Sequence, residues 1–296
     1  MTSTSLDFSR RSELATHAII VAAIGAAAAP LGIEPLVTGA FARDLHLLYG
    51  RGIAPRRETV DLDLALAVPD WDAFAALRAG LLATHDFSEV PGAARHRLRF
   101  RGMLPVDLVP FGPVESQERT IAWPPRGSVV MDVFGYREAL ATAWSVMLPG
   151  GTTAKVVSLP ALVLLKLVCW QDRHYASPGK DAQDIVLVLR HYLDAGNTER
   201  LFAEFSDWTR EDDFDYELAG ARLLGVDMRP MLDETGMHRI AMLLSEQTDP
   251  EAPGALPAEM MPADTVRARH LLDAMLGGMM ERRSTGVTTR ANRCRG

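Results

Sequence analysis

The feature that most constrains the fold is a short segment, residues 59–66, in which polar and apolar side chains alternate. This alternation predicts a half-buried β-strand. Because side chains at i and i+2 of a strand share a face, Asp61 and Asp63 would project together, with Leu62 and Leu64 opposite. Neighbouring carboxylates repel unless a cation lies between them, and Mg²⁺ is the usual hard cation beside phosphates. The segment therefore predicts a metal-binding strand; a surface strand with two solvated aspartates is the alternative.

A third carboxylate, Asp107, stands alone in an apolar and β-branched segment, residues 104–110. An aspartate on a buried strand needs a partner for its charge. Two carboxylates on one strand and a third on a neighbour can bind two divalent ions, which clamp the oxygens of an in-line phosphoryl displacement. We expect Asp61, Asp63 and Asp107 to form such a site with two Mg²⁺ ions, unless Asp107 is a hydrogen-bonded structural residue.

The chain before the paired aspartates predicts an anion site. Residues 34–38 are a short strand candidate, Gly39-Ala40 is a turn, and residues 41–48 predict a helix. The first N–H groups of a helix are unpaired and its dipole favours negative charge, so this turn suits a phosphate. Arg57 lies in the loop that follows, where it either contacts the phosphate or is solvated.

A lone lysine, Lys166, interrupts the strongly apolar helix that is predicted for residues 159–174. Ser158 is a suitable N-cap for this helix, and Pro160 falls in its first turn. Burial of an unpaired ammonium costs several kcal/mol, so Lys166 either faces a polar cleft or extends its charge to solvent. We favour the cleft.

These residues resemble those of a known family. Thr38-Gly39-Ala40, Arg57-x-Thr59-x-Asp61-x-Asp63 and the later Asp107 resemble the nucleotidyltransferase fold of the polymerase-β superfamily. The resemblance is narrower over four segments, which are similar to the AbiEii/AbiGii-type nucleotidyltransferases: residues 39–44, 57–63, 165–167 and 180–184. That family is the toxin half of toxin–antitoxin and abortive-infection pairs. The chain departs from its pattern at Ala40, where Ser or Gly is usual, so no side-chain hydroxyl is available there for phosphate.

The resemblance implies an α/β (α+β) fold, with a nucleotidyltransferase-type mixed sheet flanked by helices and followed by a mostly helical C-terminal domain. It implies Mg²⁺-dependent transfer of a nucleoside monophosphate from an NTP to an acceptor hydroxyl. Lys166 would then neutralise phosphate charge, and Asp181 would be a catalytic or lysine-positioning acid, unless it only complements a helix dipole. The residues expected to bind the nucleotide are Gly39, Ala40, Arg57 and Thr59.

The acceptor and the partner follow from the same resemblance, which implies tRNA and an antitoxin protein. Four arginines alternate at positions 95, 97, 99 and 101 of one predicted strand, so they would share one face and form a basic stripe for RNA phosphates. A solvated face paired with acids such as Glu89 is the alternative. Two other functions stay open: transfer to a small molecule, as in aminoglycoside nucleotidyltransferases, and a catalytically inactive nucleotidyltransferase-fold binding protein.

Net charge and cysteine content indicate where the protein works and which kinds of protein it is not. The chain has 296 residues and a net charge of −7, which argues against a broad nucleic-acid surface. Two cysteines make neither a disulfide framework nor a zinc site, and a cytoplasmic location is expected. The apolar residues 15–29 follow an Arg-Arg pair as in a twin-arginine signal, but Glu13 and His17 interrupt the pattern. We expect a helix packed on the sheet, with no membrane contact.

The predicted organisation has three parts. Residues 1–157 form the nucleotidyltransferase α/β domain, residues 158–248 a helical domain, and residues 249–296 a proline-marked linker, a last helix near 263–281 and a disordered basic tail. Strands are predicted near 35–38, 60–67, 96–101, 104–110, 128–134 and 144–157. Helices are predicted at 10–30, 40–49, 70–83, 136–142, 159–174, 180–193, 197–206, 214–225 and 227–247.

Overall fold

The computed structural model describes residues 5–92, 96–125, 127–252 and 254–281. Within them the chain has the expected α/β architecture, with one large mixed sheet and a helical C-terminal half. Ten strands are present: Ser5–Asp7 (β1), Glu34–Thr38 (β2), Leu62–Ala67 (β3), Phe87–Glu89 (β4), Arg97–Phe100 (β5), Leu104–Phe111 (β6), Thr120–Ala122 (β7), Val130–Asp132 (β8), Trp144–Leu148 (β9) and Thr152–Val156 (β10). Eleven α-helices are present: Ala15–Ala28 (α1), Gly39–Asp44 (α2), Trp71–Ala83 (α3), Tyr136–Ala141 (α4), Leu159–Arg173 (α5), Lys180–His191 (α6), Thr198–Glu204 (α7), Tyr216–Met228 (α8), Glu234–Thr248 (α9), Ala255–Met260 (α10) and Thr265–Met280 (α11).

Eight strands form one mixed sheet in the order β1-β9-β10-β2-β3-β6-β5-β4, and β7 pairs with β8 in a separate hairpin. The central strand β3 is antiparallel to β2 and parallel to β6. In this register Asp63 lies directly between Thr38 on one neighbour and Asp107 on the other. The sheet therefore brings the turn at Gly39-Ala40 and the three predicted metal ligands to the N-terminal end of β3.

The apolar faces of the elements explain how they pack. Leu62, Leu64 and Leu66 of β3 are fully buried, so the residues that alternate with the aspartates form the core of the sheet. Helix α1 packs on β10, β2 and α3 through buried residues such as Ile20 and Ile24. The run Ser12–Leu31 that contains α1 is long and apolar enough to span a membrane, with a mean hydropathy of 1.9 over its most apolar 18 residues, of which 33% are buried in the protein.

The helical half is held by close helix contacts. Helices α8 and α11 approach so closely that a Cβ on Gly225 would lie 2.0 Å from the carbonyl oxygen of Met275. Gly278 meets the carbonyl of Arg222 in the same way, at 1.9 Å. No larger residue fits at either crossing without separating the two helices.

Several predicted boundaries are wrong for local reasons. The helix predicted over 227–247 begins only at Glu234, because a 3₁₀ turn at Arg229–Met231 contains Pro230, and Asp233 then caps α9 by accepting the Gly236 N–H. Helix α10 lies where a linker is predicted; its Pro257 stands in the first turn, where no N–H is needed.

The predicted basic stripe is also interrupted. Arg97 and Arg99 lie on β5, but Arg101 lies in the following turn with a φ of 46° and pairs with Asp86. Position 95 lies outside the described residues. The strand therefore aligns two of the four arginines, and the prediction of a four-residue stripe is wrong.

Candidate active site

The three predicted metal ligands meet in one cluster. Each of Asp61, Asp63 and Asp107 offers a carboxylate oxygen, and these oxygens lie within 4.8 Å of one another. Asp61 lies just before β3, Asp63 is its second residue, and Asp107 is the residue of β6 in register with Asp63. Alternate residues of a strand point to the same face, and β3 and β6 are parallel neighbours with Asp63 opposite Asp107, so the three carboxylates meet as the sequence predicts.

The backbone conformation at Gly39 allows the turn between β2 and α2 to lie close to the carboxylate cluster. Gly39 begins α2 with a φ of +66°, a conformation that residues with a Cβ rarely adopt. A Cβ at this position would lie 1.9 Å from Oδ2 of Asp63. The turn between β2 and α2 can therefore approach the carboxylates only because residue 39 is glycine.

Electrostatics in the cluster favour a cation. Burial, followed by the charge of Asp61, raises the pKa of Asp63 from 3.8 to about 6, and Asp107 adds to the effect. The nearby Lys166 ammonium acts in the opposite direction. A raised pKa means that the ionised form of Asp63 is destabilised in the folded protein, and an additional positive charge nearby would stabilise it.

Two cations that sequence reasoning did not assign to the site face these acids. Arg97 donates from Nε to Oδ1 of Asp107 at 2.7 Å and from a terminal nitrogen to Oδ2 at 2.5 Å. The same guanidinium lies 3.8 Å from Asp61, and the Nζ of Lys180 lies 3.9 Å from Asp61. Arg97 was predicted only as an RNA contact; its position opposite Asp107 depends on the register of β5 with β6, which the sequence does not specify.

Lys166 is buried and paired, as the cleft interpretation requires. Its Nζ lies 2.9 Å from Oδ1 of Asp181 and 2.7 Å from Oδ2 of Asp184. Burial alone would lower the pKa of Lys166, but these two carboxylates outweigh it and raise the pKa above its ordinary value. Asp181 also accepts from Nε of Arg173 at 3.1 Å. The contacts of Asp181 therefore match the lysine-positioning alternative.

The two remaining predicted nucleotide contacts lie elsewhere. Thr59 donates to a carboxylate oxygen of Asp44 and accepts from Arg43 at 3.2 Å, within a buried polar group behind α2. Arg57 borders a small separate cavity of about 50 Å³, together with Arg43 and Asp184. Gly39 and Ala40 do line the cavity that contains the carboxylates, whereas Arg57 and Thr59 are not among the residues described as lining it.

The cavity that contains the carboxylate cluster has a volume of about 570 Å³ and lies between the sheet and α5. Four basic residues line it together with the acidic cluster: Arg97, Lys166, Arg173 and Lys180. The hairpin of β7 and β8 forms part of its wall. A cavity that combines a carboxylate cluster with this many cations suits a phosphorylated substrate beside a metal.

Comparison with known proteins decides the family. The family model described as "Nucleotidyl transferase AbiEii toxin, Type IV TA system" matches residues 25–276, which is most of the chain. The chain belongs to the AbiEii nucleotidyltransferase family. It is therefore a nucleotidyltransferase, in a family of toxins of type IV toxin–antitoxin systems whose enzymes use NTP substrates. A search of curated protein sequences gave no significant match.

Two of the solved structures that resemble the chain are of an aminoglycoside nucleotidyltransferase. One is the solution structure of the antibiotic-resistance factor ANT(2'')-Ia, with 15% identity and a TM-score of 0.35, over 66% of this chain and 94% of that one. Another is the crystal structure of ANT(2'')-Ia in complex with adenylyl-2''-tobramycin, with 16% identity and a TM-score of 0.35, over 65% of this chain and 98% of that one.

The residues present fit a divalent metal. Nucleotidyltransferases of this kind generally use divalent ions, and the carboxylates of Asp61, Asp63 and Asp107 form an oxygen-only donor set. The raised pKa of Asp63 shows that Arg97 and Lys180 do not fully compensate the cluster. A bound divalent ion would supply the missing charge.

Proposed function

We propose that this AbiEii-family protein transfers a nucleoside monophosphate from an NTP to a hydroxyl of RNA, with tRNA as the acceptor, in a Mg²⁺-dependent reaction. The observation that carries the proposal is the carboxylate cluster of Asp61, Asp63 and Asp107 beside Gly39 in a cavity lined by cations. We propose that two Mg²⁺ ions bind there, because three carboxylates on neighbouring strands can supply ligands to two divalent ions.

Each side chain has a proposed part. Asp61, Asp63 and Asp107 would hold the metal ions, which when bound stabilise charge on the reacting phosphate and activate the attacking hydroxyl. The backbone at Gly39 and Ala40 would bind the triphosphate, since Ala40 offers no hydroxyl. Lys166 would add positive charge to the cavity wall, where its neighbours fix its position.

Arg57 and Thr59 take indirect parts in this proposal. Thr59 would support the Arg43–Asp44 pair in the last turn of α2, and so the position of that helix. Arg57 would reach the nucleotide or the acceptor only from the edge of its separate cavity. Asp181 would act through Lys166 and Arg173 rather than on the substrate.

The biological setting is proposed from the family. The protein would be the toxin of a toxin–antitoxin or abortive-infection pair, with an antitoxin protein as partner and the cytoplasm as location. The basic residues of the cavity would contact the phosphates of the NTP and of an RNA acceptor beside the metal ions. Arg99, which is exposed on the strand that carries Arg97, extends this charge outward.

The test is incubation of the protein with each labelled NTP, Mg²⁺ and total RNA, with an aminoglycoside in a parallel reaction. We expect label in the tRNA fraction, and a loss of about 100-fold or more in the Asp61→Asn and Asp63→Asn variants. Asp72→Asn, at an exposed acid outside the cavity, is the matched control and should retain activity. Label in the aminoglycoside alone would refute the RNA acceptor, and no label with any acceptor would refute the transfer.

A further inference from the structure

One part of the cavity wall is aromatic and takes no part in the chemistry described so far. Trp123 lies between β7 and β8, lines the cavity and is partly exposed. Its ring centroid lies 5.4 Å from that of Trp71 and 5.8 Å from that of Phe74, both on α3 and neither among the cavity-lining residues. His96, which also lines the cavity, lies 5.4 Å from Trp123. The indole is therefore fixed by packing while part of it stays open to the cavity.

The surface beside Trp123 is apolar, in a cavity that also contains the charged groups of the metal cluster and its neighbours. Val129 and Val130 line the cavity, and they remain 62% and 61% exposed. The hairpin that carries them is closed by hydrogen bonds from the Trp123 N–H to the Val129 carbonyl and from the Gly127 N–H to the Trp123 carbonyl, each 2.9 Å. Exposed valines in the same hairpin as a fixed indole offer apolar surface that a ligand could cover.

This surface lies on the Asp107 side of the metal cluster. His96 precedes Arg97, whose guanidinium binds Asp107, and the carbonyl of His96 accepts the Leu108 N–H at 2.9 Å. A ring that stacks on Trp123 would thus lie close to the strand pair that carries the third metal ligand. The aromatic surface therefore shares its cavity with the three predicted metal ligands.

The hairpin offers a planar group an aromatic ring whose neighbouring acid, Asp132, is already paired. Asp132, at the end of β8 in the same wall, is paired with Arg239 and also accepts the Phe134 N–H at 2.9 Å. Arg239 thus offsets the charge of Asp132. A nucleobase has a neutral π-face, and proteins bind unstacked bases by stacking them on aromatic side chains.

We propose that Trp123, with His96 and the exposed valines of the hairpin, is a nucleobase-stacking subsite of the active centre. The inference rests on the proposed nucleotidyl transfer to RNA, and it adds the residue that would recognise a base. The base belongs either to the NTP or to the terminal nucleotide of the acceptor, since both present the same ring chemistry.

The experiment compares Trp123→Leu and Trp123→Phe with the wild-type protein in two measurements. The first is calorimetric binding of NTP and of inorganic tripolyphosphate, which has no base, in the presence of Mg²⁺. The second is the KM for an RNA acceptor at saturating NTP, with an intact or an abasic 3′ end. Phe202→Leu, at an exposed aromatic on α7 outside the cavity, is the matched control. Melting temperatures show that each variant is folded at the assay temperature.

The expected result is a loss on the order of 5- to 150-fold in Trp123→Leu, the range for one base–aromatic stack, with most of the affinity retained in Trp123→Phe. A loss confined to NTP binding assigns the subsite to the nucleotide, and a loss confined to the acceptor KM assigns it to the RNA. Tripolyphosphate binding and the abasic acceptor should be insensitive to residue 123.

Three results would overturn the inference: effects below about twofold, equal losses for the base-free ligands, or an equal loss in Phe202→Leu. The proposed function fails separately. Wild-type protein that binds NTP through Trp123 but labels no RNA would refute the transfer to RNA and keep the subsite. A Trp123→Leu variant that binds NTP and labels RNA as well as the wild-type protein does would refute only the subsite. Protein that neither binds NTP nor labels RNA would refute both.

Discussion

Replacement of Asp63 by asparagine should stabilise the metal-free protein, although it removes a proposed metal ligand. The pKa of Asp63 rises from 3.8 to about 6 because burial and the charges of Asp61 and Asp107 oppose its ionisation. Between these two pH values the folded protein keeps a proton that the unfolded chain has lost, so the free energy of unfolding decreases as pH rises. The full penalty applies above pH 6 and disappears below pH 3.8.

The magnitude follows from the same two pKa values. Each pH unit between them is worth about 1.4 kcal/mol, so the ionised carboxylate lowers the stability of the apo protein by about 3 kcal/mol at neutral pH and above. Asparagine has almost the same shape and carries no charge, so Asp63→Asn should recover a large part of that amount. At pH 4 the two proteins should differ little, because Asp63 is then protonated in the folded wild-type protein.

The assay is urea denaturation of wild type and Asp63→Asn in EDTA at pH 4, 6 and 8, repeated with Mg²⁺ at pH 8. We expect the stability difference to grow with pH in EDTA, and Mg²⁺ to stabilise the wild-type protein more than the variant. Asp72→Asn controls for the loss of one negative charge from the molecule. A variant that is less stable than wild type at pH 8 in EDTA, or a difference independent of pH, would refute the electrostatic argument.

Three further substitutions test other contacts. Gly39→Ala should abolish transfer and lower the free energy of unfolding, measured by urea denaturation, by at least about 1–2 kcal/mol. Gly32→Ala is the control: its φ is +65° and its Cβ position is open, so it should lose only the backbone-strain energy and keep activity. Equal effects of the two variants would refute the role of the Asp63 contact. Lys166→Met should lower the free energy of unfolding by about 3–5 kcal/mol, because it leaves Asp181 and Asp184 without their shared cation, and a change below 1 kcal/mol would contradict this. Arg97→Gln should raise Mn²⁺ affinity by about fivefold in calorimetry, since the partly exposed guanidinium competes with the metal for Asp107; unchanged affinity would show that it does not.

The metal cluster could be predicted from the sequence because it depends on short-range periodicity. The alternation around Asp61 and Asp63 fixes which side chains share a face, and the lone charge of Asp107 in an apolar strand indicates a neighbour in need of compensation. A lone lysine in an apolar helix likewise indicates a charge that needs a partner, and Lys166 does line the cavity. Each of these signals is a polar residue whose burial requires a partner.

The partners themselves could not be predicted, because they depend on register and on chain reversals. Arg97 meets Asp107 through the antiparallel pairing of β5 and β6, and Lys180 approaches Asp61 only after the turn between α5 and α6. The motif around Arg57 and Thr59 suggests two nucleotide contacts, yet the loop turns Thr59 toward Asp44. Sequence spacing gives no information on which way a loop side chain points.

The buried ion pairs around Lys166 explain how the helical half can influence chemistry at the sheet. Arg43 of α2 pairs with Asp44 and with Asp184 of α6, and Lys166 of α5 joins Asp184 to Asp181. Buried ion pairs add little net stability compared with apolar packing, so stability alone does not account for this arrangement. Its geometric consequence is more specific, because α2 begins at Gly39, beside the metal ligands. A displacement of α6 would break its charge pair with Arg43 of α2, and a displacement of α5 would remove the Lys166 partner of the same Asp184. We expect either change to reach the turn that is proposed to bind the triphosphate. The cluster therefore connects the position of the phosphate turn to the packing of the C-terminal helices.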